Sequence, residues 1–195
     1  MFLPNVIEES GRGLRNYDLP SKLFESGIIF LNGEINDESA NATIMQLLYL
    51  DALNDDNEPT IYINSGGGDV YAGSNITDVI QTMKKKVNVV CMAKAMSMGS
   101  YILSSATGRR SALPNSRILL HSVSSGSQGS YHDLKVQHNE TEYLQEKLLR
   151  NLSEFSKGKT SYEQMVELTQ RDKYLTPEEY LELGLIDEII EKTKW

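Results

Sequence analysis

The stretch from Val87 to Ala106 constrains the fold of this chain more than any other. Val87, Val89, Val90, Cys91 and Met92 form an apolar run of strand length rich in β-branched side chains. Small residues follow, and the stretch from Tyr101 to Ala106, where apolar residues resume, reads as a helix. The pattern predicts a buried strand, a sharp turn and a helix entering the core. Ser97 falls at the turn, between Ala95 and Gly99, whose small size lets the backbone bend tightly. Such a corner pushes a serine hydroxyl outward, although the spacing is not a literal Gly-x-Ser-x-Gly. A helix beginning just after Ser97 also aims unsatisfied N–H groups at the site, which favours an anion there. Taken alone, the same serine reads more readily as a helix cap than as a nucleophile. The rest of the chain has to supply a base, a group that orients it, and an oxyanion site.

At 195 residues, 39% of them hydrophobic, the chain suits a single domain spanning 1–195 with a substantial core. Its net charge of −8 argues against nucleic acid as a partner, because phosphate binding draws on clustered Lys and Arg. Lys84-Lys85-Lys86 is its only basic run and reads as a solvated helix end. The single cysteine, Cys91, lies inside the apolar strand and cannot form an internal disulfide, which fits a reducing, cytoplasmic compartment. No basic segment followed by an apolar run opens the chain, so no secretory signal is predicted. Lys94 and the many Ser and Gly residues make the Val87–Ala106 stretch buried core and not a membrane span, so no membrane association is expected.

Residues 1–19 mix Pro4, Gly11, Gly13 and charges without a period, and predict an extended or mobile arm. Ile28 to Leu31 reads as a core strand ended by Asn32-Gly33. From Asp37 to Asn54, Ile44, Leu47, Leu48 and Leu50 recur at helical spacing behind an acidic first turn. Thr60 to Ile63 is a second strand that runs into Asn64-Ser65-Gly66-Gly67-Gly68-Asp69, read as a glycine turn. A helix outlined by Val70, Gly73, Ile76, Val79, Ile80 and Met83 follows. The glycines either let backbone N–H groups approach a ligand or make a tight connection. Neither the P-loop ending nor the dinucleotide-binding glycine spacing is present.

Gly108-Arg109-Arg110 reads as a polar turn, and Arg117 to Leu120 as a strand ending at His121. His132 and His138 fall in a polar segment, whereas His121 directly follows apolar residues. It is either a general base near neutral pH or a hydrogen-bonded core histidine. After the Ser/Gly-rich segment from Ser122 to Ser130, a long helix is predicted from about Tyr131 to Phe155. Its stripe is Leu134, Thr141, Leu144, Leu148, Leu152 and Phe155. It is either an arm that packs on another subunit or an ordinary core helix. Thr160-Ser161-Tyr162-Glu163 and Thr176-Pro177-Glu178-Glu179 start two short helices, the second ended by Gly184. Leu185 to Ile190 closes as a short apolar element. Asp172, beside Arg171, reads by itself as a surface ion pair or a cap.

In this order, several motifs resemble the proteolytic subunit of the Clp protease, the ClpP family of serine peptidases. They are Val6-Ile7-Glu8, Tyr62-Ile63-Asn64-Ser65 with its glycines, Ala95-Met96-Ser97-Met98-Gly99, and Leu113-Pro114-Asn115-Ser116-Arg117 followed by His121. Arg171-Asp172, leading to Gly184-Leu185-Ile186-Asp187, completes the set. The resemblance covers nearly the whole chain. It implies an α/β fold of the crotonase type, a superhelix of ββα units with a protruding handle region at about 122–157 and an axial arm at 1–19. It also implies that Ser97 is the nucleophile, His121 the general base and Asp172 the carboxylate that orients it. The backbone N–H groups of Gly68 and Met98 would be the oxyanion donors.

The implied assembly is a tetradecamer of two heptameric rings stacked through the handle, homomeric or paired with a paralogous ring. Its chamber would admit unfolded polypeptide delivered by an AAA+ unfoldase. That partner would use the ATP, and the subunit itself would need no cofactor and no metal. Arg171 and Gln170 would make contacts between rings, and Tyr62 and Met92 would form part of the unfoldase docking cleft.

The chain departs from the family pattern in four places. Ser65-Gly66-Gly67-Gly68 stands where Ser-Pro-Gly-Gly is common, Val123 replaces a proline, Gln170 replaces an acid, and Thr60 and Thr82 stand at cleft positions usually aromatic. Two other functions compete. One is a mainly structural or conditionally active ring subunit that needs a paralogue, favoured by Gly66 and Gln170. The other is a crotonase-type acyl-CoA enzyme, which has no evident use for Ser97, His121 and Asp172 together.

Overall fold

The computed structural model describes residues 3–11 and 13–191. The chain starts with an antiparallel hairpin of β1 (Asn5–Ser10) and β2 (Gly13–Asp18). Residues 5–10 and 13–18 are therefore paired strands, where the irregular composition predicted an extended or mobile arm; Met1, Phe2 and Arg12 lie outside the described residues. The hairpin contributes little to the core, since Ile7 and Leu14 are exposed. Backbone pairing holds it together, and hydrophobic periodicity does not register that kind of bond. Helix α1 (Leu19–Glu25) follows, with the Asp18 carboxylate accepting from the Ser21 N–H at 2.7 Å.

Strands and helices then alternate: β3 (Ile28–Ile35), α2 (Asp37–Ala52), β4 (Thr60–Gly68), α3 (Val70–Thr82), β5 (Asn88–Met96) and α4 (Met98–Ser104). β6 (Arg110–Ala112), β7 (Arg117–Leu120), α5 (Tyr131–Phe155), α6 (Tyr162–Thr169), β8 (Lys173–Leu175), α7 (Pro177–Glu182) and β9 (Glu188–Ile189) complete the chain. The main sheet runs β3-β4-β5-β6-β9, all parallel, with β7 parallel to β5 and β8 antiparallel to β7. Alternating strand and helix with parallel pairing is the α/β architecture that the crotonase-like expectation requires. Ile29, Leu31, Ile61, Ile63, Val89 and Cys91 alternate onto one fully buried face, beneath α2, α3 and α4. On the opposite face Phe30 stacks on Tyr62, with ring centroids 5.8 Å apart.

The structure corrects three readings of the sequence. The Gly66-Gly67-Gly68 segment is no turn. β4 continues through it, paired Glu34 to Gly67 and Ile35 to Gly68, and β3 runs on past Asn32-Gly33 through a register shift. Glycines carry no side-chain pattern, so only the pairing reveals the strand. Arg110, read as part of a polar turn, lies on β6 and is 2% exposed. Its Nε and Nη2 donate to the two Asp187 oxygens at 3.0 and 2.5 Å, and its Nη1 to the Phe155 carbonyl at 2.6 Å. A guanidinium is tolerated there because its donors are paired in the fork geometry. α1 and β8 are too short for periodicity to reveal.

Helix α5 spans the predicted limits. Leu149 and Leu152 are its buried residues, while Tyr131, Val136 and Tyr143 are exposed. Its first half therefore lies outside the core, with Glu140 accepting from the Tyr71 hydroxyl at 2.8 Å. Among the described residues no helix is long and apolar enough to cross a membrane.

Candidate active site

The site follows from how β5 divides its partners. Val89 to Cys91 pair with β6, and Lys94 to Met96 pair with β7. That change of partner brings the end of β7 beside the end of β5, and the Ser97 N–H donates to the Leu119 carbonyl at 3.0 Å. Ser97 has φ 53° and ψ −124°, a left-handed conformation that costs energy for a residue with a Cβ. It occupies the cap position of α4, yet its side chain makes no capping hydrogen bond. The hydroxyl is thus not spent as a cap. The corner is fastened by Ser100, whose Oγ donates to the carbonyls of Ser97 (2.6 Å) and Leu119 (3.0 Å).

The end of β4 closes on this corner through its glycines. A Cβ on Gly67 would lie 2.6 Å from Ser97 Cβ and 2.7 Å from the Met96 carbonyl oxygen, and φ there is +93°. Gly68, at φ +154°, would collide with the Ile35 carbonyl if it carried a side chain. Only residues without a Cβ allow this approach. The Asp69 N–H donates to Ile35 O at 2.8 Å, and the alternation of a parallel ladder turns the Gly68 N–H away from β3. Met98 is the first residue of α4, where the N–H groups have no partner within the helix. Gly68, Ser97, Met98 and His121 line one cavity of about 70 Å³, walled on the apolar side by Val70, Leu148 and Leu152.

His121 and Asp172 meet through a pairing the sequence did not reveal. β8 runs antiparallel to β7 with Leu120 opposite Lys173, so the next pair in that register is His121 and Asp172. His121 Nδ1 lies 3.8 Å from Asp172 Oδ1, with the imidazole 24% and the carboxylate 64% exposed. This is ion-pair range and longer than a hydrogen bond.

The remaining expected site residues lie elsewhere. Arg171 and Gln170 are exposed and, with Asp172, border an open groove between α6, β8 and α7. Tyr62 and Met92 are half-buried on the sheet face opposite Ile61 and Ile63, as is Thr60. Thr82 ends α3, its hydroxyl donating to the Asp78 carbonyl. None of these lines the Ser97 cavity. Among the described residues, no group of three or more His, Cys, Asp or Glu could hold a metal ion.

A parallel α/β sheet that delivers a serine at a strained strand-to-helix corner, in one cavity with a histidine, is the frame of a nucleophile-elbow protein. The family model for Clp protease matches residues 11–193. This chain belongs to the Clp protease family: it is a Clp-type proteolytic subunit, and its class is that of the serine peptidases.

Proposed function

We propose that this chain is a serine endopeptidase in which Ser97 Oγ attacks the scissile carbonyl of unfolded polypeptide. The observation that carries the reading is the uncommitted Ser97 hydroxyl on a strained corner, sharing a cavity with His121, Gly68 and Met98. His121 accepts the hydroxyl proton as the Oγ–C bond forms, and returns it to the leaving amine as the C–N bond breaks. Water then releases the acyl group by the same route. The N–H groups of Gly68 and Met98 stabilise the tetrahedral oxyanion, each donor contributing roughly a hundredfold to a thousandfold in turnover. Asp172 orients the imidazole and supports its charge once protonated, a contact that tightens from 3.8 Å when substrate binds. Hydrolysis itself uses neither metal nor nucleotide.

The exposed half of α5 suits the handle of a stacked double ring within a region of about 122–157, with residues 1–19 as an axial arm of the single 1–195 domain. Arg171 and Gln170 would meet the facing ring. Tyr62 and Met92 would meet a cytoplasmic AAA+ unfoldase that spends the ATP. A second reading, a subunit active only beside a paralogous ring, is favoured by the long His121–Asp172 contact and by Gly66, whose nearest neighbour to a Cβ would be Lys94 Nζ at 4.0 Å.

Labelling with a fluorophosphonate probe, with particle mass recorded on the same sample, tests the choice. Covalent labelling of the wild type that is lost in Ser97→Ala, in a double-ring particle, is expected. An assembled wild type that does not label refutes the self-sufficient peptidase, and labelling on addition of a paralogous ring then supports the second reading.

A further inference from the structure

The backbone that leaves β7 carries His121 into a segment, residues 121–130, that forms neither helix nor strand. Upstream, His121 is fixed by the pairing of β7 with β5 and by the bonds that converge on the Leu119 carbonyl. Downstream it depends on side chains. The Ser122 hydroxyl donates to the Thr169 carbonyl at 2.7 Å, tying the segment to the end of α6 just before Asp172. The Val123 N–H donates to Gln145 Oε1 at 2.6 Å, tying it to α5. Farther along, the Thr141 hydroxyl donates to Ser125 Oγ at 3.1 Å.

Gln145 reaches from α5 to the chain two residues after His121, and it has a physical reason to be there. A valine at 123 carries an N–H, and in a half-buried position a donor left without an acceptor is destabilising. Gln145 lies one helical turn before Leu148 and Leu149, so its stem rises from the anchored part of the helix. Gln145 and Val123 both line the cavity that holds Ser97 and His121. The imidazole, 3.8 Å from its carboxylate, is not locked by that contact, and its place is set by the backbone on either side of it.

We infer that Gln145 is a positioning residue for the catalytic base: its Oε1 clasps the chain after His121 and so fixes where the imidazole stands relative to Ser97. The inference rests on the peptidase reading above. It assigns Gln145 no contact with substrate. The role acts on turnover through geometry, where a displacement near 1 Å costs roughly a hundredfold.

The test compares wild type, Gln145→Leu, which keeps helix propensity and bulk but removes the acceptor, and Gln145→Glu, which keeps an acceptor. In the assembled protein, kcat and KM on a short fluorogenic peptide, the pH profile of kcat/KM and the fluorophosphonate labelling rate are measured. Amide exchange of the Val123 N–H is followed in parallel. Expected are a loss of kcat of about tenfold or more in Gln145→Leu with KM little changed, a displaced acid limb, and recovery of most of the kcat in Gln145→Glu. Gln145→Leu with the wild-type kcat and pH profile overturns the inference, as does Gln145→Glu falling as far as Gln145→Leu. Exchange in the wild type needs no variant: slow exchange at Val123 is expected, and exchange at the rate of a free amide overturns the clasp. A wild type that does not label sinks the peptidase reading and this inference with it. Labelling in the wild type that is unchanged in Gln145→Leu sinks this inference alone.

Discussion

Gly67→Ala isolates the geometry on which the site depends. The added methyl would sit 2.6 Å from Ser97 Cβ and 2.7 Å from the Met96 carbonyl oxygen. Carbon atoms in contact rest at about 3.5–4.0 Å, so β4 and the serine corner must part by about 1 Å. That displacement falls between the Gly68 N–H and the Ser97 hydroxyl, the two groups that converge on one carbonyl in the proposed peptidase. A misplacement of this size costs about a hundredfold in rate, or ~2.7 kcal/mol of transition-state stabilisation. The φ of +93° adds a backbone penalty of about 1–2 kcal/mol for any residue with a Cβ, which lowers the melting temperature by roughly 2–8 °C in a chain of this size. The assay is kcat/KM on a short fluorogenic peptide, with fluorophosphonate labelling and particle mass on the same preparation. Gly11→Ala, where a Cβ meets nothing within 4 Å, serves as the control and should leave activity unchanged. A folded, assembled Gly67→Ala protein with wild-type kcat/KM would refute the argument that β4 must touch the serine corner.

Asp187→Asn should destabilise the protein by about 2–3 kcal/mol at neutral pH. This is less than the ~3–5 kcal/mol of a fully buried pair because the Asp187 side chain is 31% exposed, while Arg110, at 2%, is left with an unpaired charge. Hydrogen bonds from Arg110 hold the Asp187 carboxyl well below its ordinary 3.8, so its contribution is complete above that pH and lost as pH falls through the lowered value. Denaturation at fixed protein concentration should show a shallower acid loss in the variant, and parallel pH curves would count against the clamp. Burial pushes the Cys91 thiol up to about 11, so it stays protonated at pH 8. Iodoacetamide should leave the native protein unmodified by mass spectrometry and alkylate it once denatured; equal rates in both states would contradict the buried strand.

Much of the scaffold was legible because the signals are local. The apolar run into Ser97 and the limits of α5 follow from periodicity. The start of α7 follows from its capping box, with Thr176 accepting from the Glu179 N–H, while α6 starts one residue later than the Thr160–Glu163 spacing reads: Ser161 accepts from the Gln164 N–H, and the Thr160 hydroxyl instead donates to the Leu183 carbonyl. Arg110 was misread because its partner, Asp187, is remote in sequence and a charged residue in a polar setting gives no sign of burial. The clasp of Gln145 on Val123 had no sequence signal, since one glutamine on a helix looks like any other polar position.

By itself, then, the sequence determined an α/β chain with a serine at a strand-to-helix corner, a histidine after an apolar strand and a long polar helix, because hydrophobic spacing and turn chemistry act over a few residues. The tertiary structure alone decided what meets what. The switch of β5 from β6 to β7 sets His121 beside Ser97, the β7–β8 register sets Asp172 beside His121, and the missing Cβ of Gly67 lets β4 close on the corner. Each is a contact between segments far apart in the chain, fixed by backbone hydrogen bonds whose partners no local pattern specifies.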